Sequence, residues 1–162
     1  MPSVYVETTI PSYLTAAPSR DLVIAARQQV TRDWWQNAQE RFTLYVSEAV
    51  LQEIRAGDSV VAARRIELVR GLTVLDVTKE VDSLAEIYQR HFGLPQRART
   101  DIVHIAVAVA YELDYVVSWN CRHIANAQIL RRLMDVNHTL GRFTPLLCTP
   151  AELLELPEQS RH

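Results

Sequence analysis

Short apolar runs alternate with longer amphipathic segments along the chain. The longer segments carry apolar residues at helical spacing, whereas five runs are brief and rich in β-branched or aromatic residues, as buried strands are. Those five runs are residues 4–6, 42–46, 72–75, 115–117 and 144–147. This alternation predicts an α/β fold with a central, mainly parallel sheet of four to five strands flanked by helices. We expect the first and fourth strands to be neighbours at its centre.

Capping residues mark where the helices begin. Asp21 is expected to cap a long helix, and its inward face is assigned to the apolar positions Leu22, Val23, Ala26, Val30 and Trp34. Ser47 is predicted to cap the helix after the second strand, and Thr100 the helix after the loop 94–99. The residues 101–110 are nearly all apolar, so that helix should be buried on most sides.

Three polar residues fall where ligands bind in such folds. Glu7 follows the first strand, Asn120 follows the fourth, and Asp101 leads the most apolar helix. The carboxyl ends of adjacent parallel strands share one crevice, so these side chains are predicted to converge there. The alternative is that Glu7 only ends a strand and that Asp101 only complements the dipole of its helix.

Composition narrows the class of protein. The chain has 162 residues, 48% of them hydrophobic and 22% charged, with a formal net charge of −2, which predicts one globular domain over residues 1–162. No apolar run is long enough to span a membrane and no signal segment is evident, so we expect a cytoplasmic protein without membrane attachment. Cys121 and Cys148 lack zinc-ligand spacing, and four glycines do not form a phosphate-binding loop.

Four segments follow one another in order along the chain: YVETTIPS (5–12), SEAVLQEI (47–54), TDIVHIA (100–106) and SWNCRHIAN (118–126). Together they resemble the PIN domain, and in particular its VapC-like toxin branch. The resemblance implies a metal-dependent endoribonuclease, the toxin of a type II toxin–antitoxin pair. It implies that Glu7, Glu53, Asp101 and Asn120 gather around Mg²⁺ or Mn²⁺ as catalytic residues and metal ligands.

Glu53 competes with Glu48 for the second of these positions. The two lie about 140° apart around a helix, and periodicity alone favours neither. The family pattern favours Glu53 through its spacing from Ser47. The sequence departs from that pattern at two positions, because Glu7 and Asn120 stand where Asp is usual. Three carboxylates remain, which implies one firmly bound metal and a second bound weakly.

Oxygen ligands of this kind suit a hard cation, which can activate a water molecule and neutralise charge on a phosphate. Arg122 and His123, beside Asn120, are candidates for substrate binding, together with Ser118; solvated loop residues are the alternative. Ser118 and Thr8 are also candidates for orienting waters or metal ligands, with ordinary turn hydroxyls as the alternative. His104 is expected to be a core histidine bonded to a neighbour rather than a metal ligand.

The implied partners are an RNA substrate, a small antitoxin protein and a second copy of the chain. The pair Trp34 and Trp35 offers a candidate contact surface, with one tryptophan expected in the core. Two other functions stay open. The Asn120 departure allows a catalytically degenerate PIN-fold module that binds RNA or protein, and a metal-dependent phosphohydrolase acting on small substrates is the third.

Overall fold

The computed structural model describes residues 1–154, and its centre is one five-stranded sheet in which every strand pair is parallel. The strand order is β3-β2-β1-β4-β5, so β1 is central and β4 lies beside it, as predicted. The α/β fold class is confirmed. The strands are β1 (Ser3–Val6), β2 (Thr43–Ser47), β3 (Thr73–Leu75), β4 (Tyr115–Val117) and β5 (Leu146–Cys148).

Seven α-helices flank this sheet within residues 1–154. They are α1 (Thr9–Thr15), α2 (Leu22–Arg41), α3 (Glu48–Arg55), α4 (Ser59–Val69), α5 (Lys79–Phe92), α6 (Arg99–Ala110) and α7 (Ala127–Leu140). Two 3₁₀ turns, Gln96–Ala98 and Pro150–Leu153, complete the described structure. None of the helices in residues 1–154 is both long and apolar enough to cross a membrane.

Two of the predicted helix caps are confirmed and one is wrong. Asp21 accepts hydrogen bonds from the N–H groups of Val23 and Ile24, and Ser47 accepts one from Ala49. Thr100, in contrast, lies inside α6, which begins at Arg99. The chain enters α6 from the 3₁₀ turn Gln96–Ala98, so the turn leads directly into the helix and no side chain caps it.

Helix α2 buries only part of the face that its apolar residues predicted. Trp34 is buried and Val30 packs against the core. Leu22 and Val23 are 86% and 62% exposed. Gln28 and Thr31 face inward with Trp34, because both polar side chains find partners. Gln28 donates to the carbonyl of Ala17 at 3.0 Å, and Thr31 accepts from the indole N–H of Trp119 at 2.7 Å. Trp34 is in the core, as expected of one of the two tryptophans, and Trp35 is half-buried.

Helix α6 is buried on most sides, as predicted. Its residues from Ile102 to Val109 are fully buried with the exception of Val103, and His104 is among them. The helix packs mainly against α5 and also contacts α3. Asp101 lies in its first turn, at the surface end of this apolar helix.

At each end of the β1–β4 strand pair, a serine on one strand's side hydrogen-bonds an acidic side chain on the other. At the amino edge of the sheet, Ser3 donates its N–H and its hydroxyl to Oδ2 of Asp114 at 2.8 and 3.0 Å. At the carboxyl edge, Ser118 donates to Oε2 of Glu7 at 2.7 Å. Both pairs continue the register in which Val4 lies beside Tyr115 and Val6 beside Val117.

Candidate functional site

Glu7 connects the central strand to the first helix. It is only 3% exposed, and its Oε2 accepts hydrogen bonds from the N–H and the hydroxyl of Thr9 at 3.0 and 2.6 Å. The carboxylate thus meets the amino end of α1, where backbone N–H groups favour negative charge. Burial nevertheless raises the pKa of Glu7, because the charge of His104 and the hydrogen bonds from Thr9 and Ser118 offset desolvation only in part.

Ser118 stands behind Glu7. Its hydroxyl is fully buried and is directed at the Glu7 carboxylate. This contact fits the expectation that Ser118 orients a ligand. A direct role of Ser118 in substrate binding stays a prediction.

Glu53 approaches the same edge from α3. Its Oε1 accepts a hydrogen bond from the Thr8 hydroxyl at 2.9 Å and a second, shorter one from Nε2 of His104. The side chain stays 34% exposed, so it reaches solvent while being held from behind. Partial burial acts to raise the pKa of Glu53, but the hydrogen bond and charge of His104 outweigh it and the pKa is lowered.

His104 lies in the core behind the acids, and their charges act on its pKa. Burial alone would lower the pKa of its imidazole, but the hydrogen bond to Glu53 and the charges of Glu7, Glu53 and Asp101 raise it. The expectation that His104 is a buried core histidine bonded to a neighbour is confirmed by its burial and its contacts. Glu53 bonds His104 directly, whereas Glu7 and Asp101 act on its pKa through their charge.

Asp101 and Asn120 both contact His123 at the carboxyl edge of the sheet. We call the region of this edge between Glu7, Glu53, Asp101 and Asn120 the cleft. Asp101 Oδ2 lies 2.8 Å from Nδ1 of His123, and the backbone N–H of His123 donates to Oδ1 of Asn120 at 3.0 Å. The amide oxygen of Asn120 therefore closes the turn after β4. Arg122, which lies between Asn120 and His123 in the sequence, is exposed.

The donor chemistry of these residues fits a hard divalent cation. Among residues 1–154, the hydrogen bonds to the three carboxylates all use one oxygen of each, namely Oε2 of Glu7, Oε1 of Glu53 and Oδ2 of Asp101. The second oxygen of each remains to meet a cation or water, and carboxylate oxygens suit Mg²⁺ or Mn²⁺.

The same carboxylates do not form a compact cluster. No three acidic, histidine or cysteine side chains of the described part of the chain stand close enough together to hold one metal ion as they are placed. Each acid instead meets its own donors, from Thr9 and Ser118, from Thr8 and His104, or from His123.

Glu48 and Glu53 both line a groove of about 880 Å³ between α3 and α6, although helical spacing separates them. Glu48 is the first residue of α3 and reaches the groove from the helix end. Only Glu53 contacts Thr8 and His104. Asp76, Asp82 and Arg99 are the other charged residues that line this groove.

Among the hydroxyls around the acids, sequence reasoning singled out Thr8 and Ser118 but missed Thr9 and Tyr5. Thr9 contacts Glu7, and Tyr5 contacts both His104 and Ser47. Burial raises the pKa of Tyr5 well above its ordinary value, so its hydroxyl keeps its proton. Tyr5 lies in an apolar strand, where alternation marks it only as a core residue; the hydroxyls next to Glu7 were the single available signal.

Comparison with known proteins gives likenesses of structure. No family model matches the sequence, and no curated protein matches it. A chain of VapBC2 from Rickettsia felis, solved bound to a DNA fragment from their promoter, aligns over 79% of this chain and 91% of its own, at 13% identity and a TM-score of 0.56. VapC20 of Mycobacterium tuberculosis, described as a Sarcin-Ricin loop cleaving toxin, aligns over 70% and 87%, at 21% identity and 0.55.

The chain has a VapC-like fold. At these identities the likeness establishes the architecture, and it confirms the fold that the four sequence segments implied. Glu53 bonds Thr8 beside Glu7, and Asp101 bonds His123 near Asn120, so the four residues lie at the carboxyl edge of the sheet. Their convergence on one metal ion stays a prediction.

Proposed function

We propose that this protein is a metal-dependent endoribonuclease and the toxin of a type II toxin–antitoxin pair. The observation that carries the proposal is that three acids reach the carboxyl edge of a VapC-like sheet: Glu7 bonds Ser118 after β4, Glu53 bonds Thr8 beside Glu7, and Asp101 bonds His123. The likeness to VapC20, described as a Sarcin-Ricin loop cleaving toxin, supports an RNA substrate.

In this proposal Glu7, Glu53 and Asp101 hold Mg²⁺ or Mn²⁺, with Asn120 at the margin. The bound cation supplies an activated water and neutralises charge on the phosphodiester. Thr9 and Ser118 fix the Glu7 carboxylate from behind.

The remaining residues of the cleft position its outer side and meet the substrate. His123 contacts Asp101, and its own N–H fastens the turn that carries Asn120. Arg122 is exposed beside them and offers a cation to the RNA backbone. His123 is half-buried next to Arg122 and is the second candidate for contacting that backbone.

The proposed partners are RNA, a small antitoxin protein and a second copy of the chain, all in the cytoplasm. The likeness to a chain of VapBC2 supports the antitoxin. Half-buried Trp35 remains the candidate contact for a partner, since Trp34 belongs to the core. Sedimentation of the pure protein over a wide concentration range tests the dimer, and a monomer throughout contradicts it.

The test is cleavage of structured RNA by the purified protein with Mg²⁺ or Mn²⁺, compared with the same reaction in excess chelator. Cleavage that requires the metal and that falls in Asp101→Asn supports the proposal. Equal cleavage in chelator, or full activity of Asp101→Asn, contradicts the metal mechanism. Hydrolysis of small phosphoesters without RNA cleavage favours a phosphohydrolase instead.

A second candidate is a PIN-fold module that binds RNA or protein without cutting. The observation that favours it is the use of the Asn120 oxygen in a turn, where the family pattern has a further carboxylate. RNA binding by filter retention, with metal bound and no cleavage of any RNA tested, supports this second function.

A further inference from the structure

A chain of buried hydrogen bonds leads from the core to the Glu53 carboxylate. Ser47 Oγ lies 2.7 Å from the Tyr5 hydroxyl, which lies 2.5 Å from Nδ1 of His104, and Nε2 of His104 bonds Glu53. Ser47, Tyr5 and His104 are each fully buried. We call Ser47, Tyr5 and His104 the buried relay.

The buried relay connects four separate elements of the fold. Tyr5 belongs to β1, Ser47 ends β2, His104 lies in α6 and Glu53 in α3. Ser47 also caps α3 by accepting from the N–H of Ala49 at 3.2 Å, so one residue of the relay fixes the helix that carries Glu53. Both nitrogens of the His104 ring have hydrogen-bond partners, so the rotation of the ring is fixed.

We infer that His104 is a positioning residue, which holds the Glu53 carboxylate at the mouth of the cleft through the buried relay. The inference rests on the proposed function, in which Glu53 is a metal ligand. An ionised carboxylate only accepts hydrogen bonds, so Nε2 of His104 must be the donor. Nδ1 then meets the Tyr5 hydroxyl, which can donate or accept, and Ser47 completes the chain.

The geometry distinguishes this role from that of a ligand. Both ring nitrogens of His104 already have partners, and the ring is sealed from the cleft. Oε2 of Glu53 takes no hydrogen bond from the residues described, so the carboxylate can be gripped through Oε1 while Oε2 faces a cation. Partners that orient a ligand in this way affect metal affinity by about 10- to 100-fold.

Tyr5→Phe is the main test variant, because it removes one hydroxyl from the relay and touches neither Glu53 nor a cation. Tyr88→Phe is the matched control. Tyr88 is equally buried, and its hydroxyl donates to Asn137 at 2.5 Å. These two residues lie on α5 and α7, which carry none of the four predicted site residues. His104→Leu removes the relay's donor, and His104→Gln restores an N–H towards Glu53.

Mn²⁺ affinity, measured by calorimetry and by electron paramagnetic resonance, is the first readout. We expect Tyr5→Phe to weaken binding by roughly threefold to tenfold and His104→Leu by at least about tenfold. His104→Gln should recover part of that loss, and Tyr88→Phe should bind like wild type. Equal effects of Tyr5→Phe and Tyr88→Phe, or wild-type affinity in Tyr5→Phe, would overturn the inference even if His104→Leu fails to fold.

The second readout is the His104 Nε2 proton in the NMR spectrum of the metal-free protein. A donor bonded to a carboxylate inside the core should give a slowly exchanging, downfield signal, moved by Tyr5→Phe and not by Tyr88→Phe. Its absence from wild type overturns the inference. Its presence in a wild type that binds no Mn²⁺ supports the relay and overturns the proposed function, so the two failures are distinct.

Discussion

The two edges of the β1–β4 strand pair carry the same chemistry in different surroundings. At the amino edge Asp114 is half-buried and takes its hydrogen bonds from Ser3. At the carboxyl edge Glu7 takes one from Ser118, but it is almost fully buried and lies near the charge of His104. The first pair closes two strands, and the second lies in a cleft with two further acids.

The difference between these edges comes from the direction of the strands. In a parallel sheet the chain leaves every strand at the carboxyl edge, so helix starts and connecting loops gather there. Glu7, the α3 helix of Glu53 and the turn of Asn120 reach that edge by this rule. An acid and a serine are therefore not a site by themselves; the convergence of several chain segments makes one.

The largest expected effect separates the two edges by activity. Asp101→Asn keeps the shape of the side chain but removes its charge, so metal binding should weaken and RNA cleavage should fall by at least about tenfold. Asp114→Asn is the matched control at the amino edge and should cleave like wild type. Initial rates at saturating Mg²⁺ check both, and similar losses in the two variants would erase the comparison.

The second effect concerns the outer side of the cleft. Asn120→Asp adds a carboxylate where the family pattern has one, and its oxygen can still accept from the N–H of His123. Mn²⁺ should bind about threefold to tenfold more tightly, which corresponds to about 1 kcal/mol. The metal-free variant should be less stable than wild type because another negative charge joins the acids. Calorimetric titration decides, and unchanged affinity would place residue 120 outside the metal site.

The third effect is on thermal stability: replacing the acid by its amide should raise Tm at the carboxyl edge but not at the amino edge. Because burial raises the pKa of Glu7, its ionised form is disfavoured in the folded state, and Glu7→Gln should stabilise the metal-free protein at pH 7. The expected rise in Tm is roughly 2–4 °C, equivalent to about 1 kcal/mol in a chain of this size. Asp114→Asn should not raise Tm, since it only weakens the bonds to Ser3.

Thermal unfolding in chelator measures this third effect, with saturating Mn²⁺ as its counterpart. The metal should stabilise wild type more than Glu7→Gln, so the advantage of the variant should shrink or reverse. A Tm of Glu7→Gln below wild type without metal would show that the hydrogen bonds from Thr9 and Ser118 outweigh the desolvation of the charge.

The smallest effect is the pH dependence of that advantage. The folded pKa of Glu7 is raised above its unfolded value of about 4.3. The protonated Glu7 carboxyl therefore makes its full contribution to stability below about pH 4.3, and this contribution is lost as pH rises through the folded pKa. The Tm difference between Glu7→Gln and wild type should be largest at pH 7 and should shrink as pH falls towards 4.5. A constant difference would mean that the variant acts by packing alone.

Much of the fold was predictable because local pattern expresses it. The strands at 115–117 and 4–6, the caps at Asp21 and Ser47 and the buried helix α6 follow from periodicity and side-chain chemistry within a few residues. The inward face of α2 was predicted correctly at Val30 and Trp34 and wrongly at Leu22 and Val23. Gln28 and Thr31 are buried there because Ala17 and Trp119 supply their hydrogen bonds, and no hydrophobic pattern marks such positions.

The sequence by itself determined the α/β alternation, the acids at the strand ends and their family resemblance, since each depends on residue type and short spacing. Only the tertiary structure decided what holds those acids. The contact between Tyr5 and His104 spans 99 positions, and that between Glu53 and His104 spans 51. Hydrogen bonds over such separations depend on how strands and helices are stacked, and burial then makes each partner's charge and orientation matter.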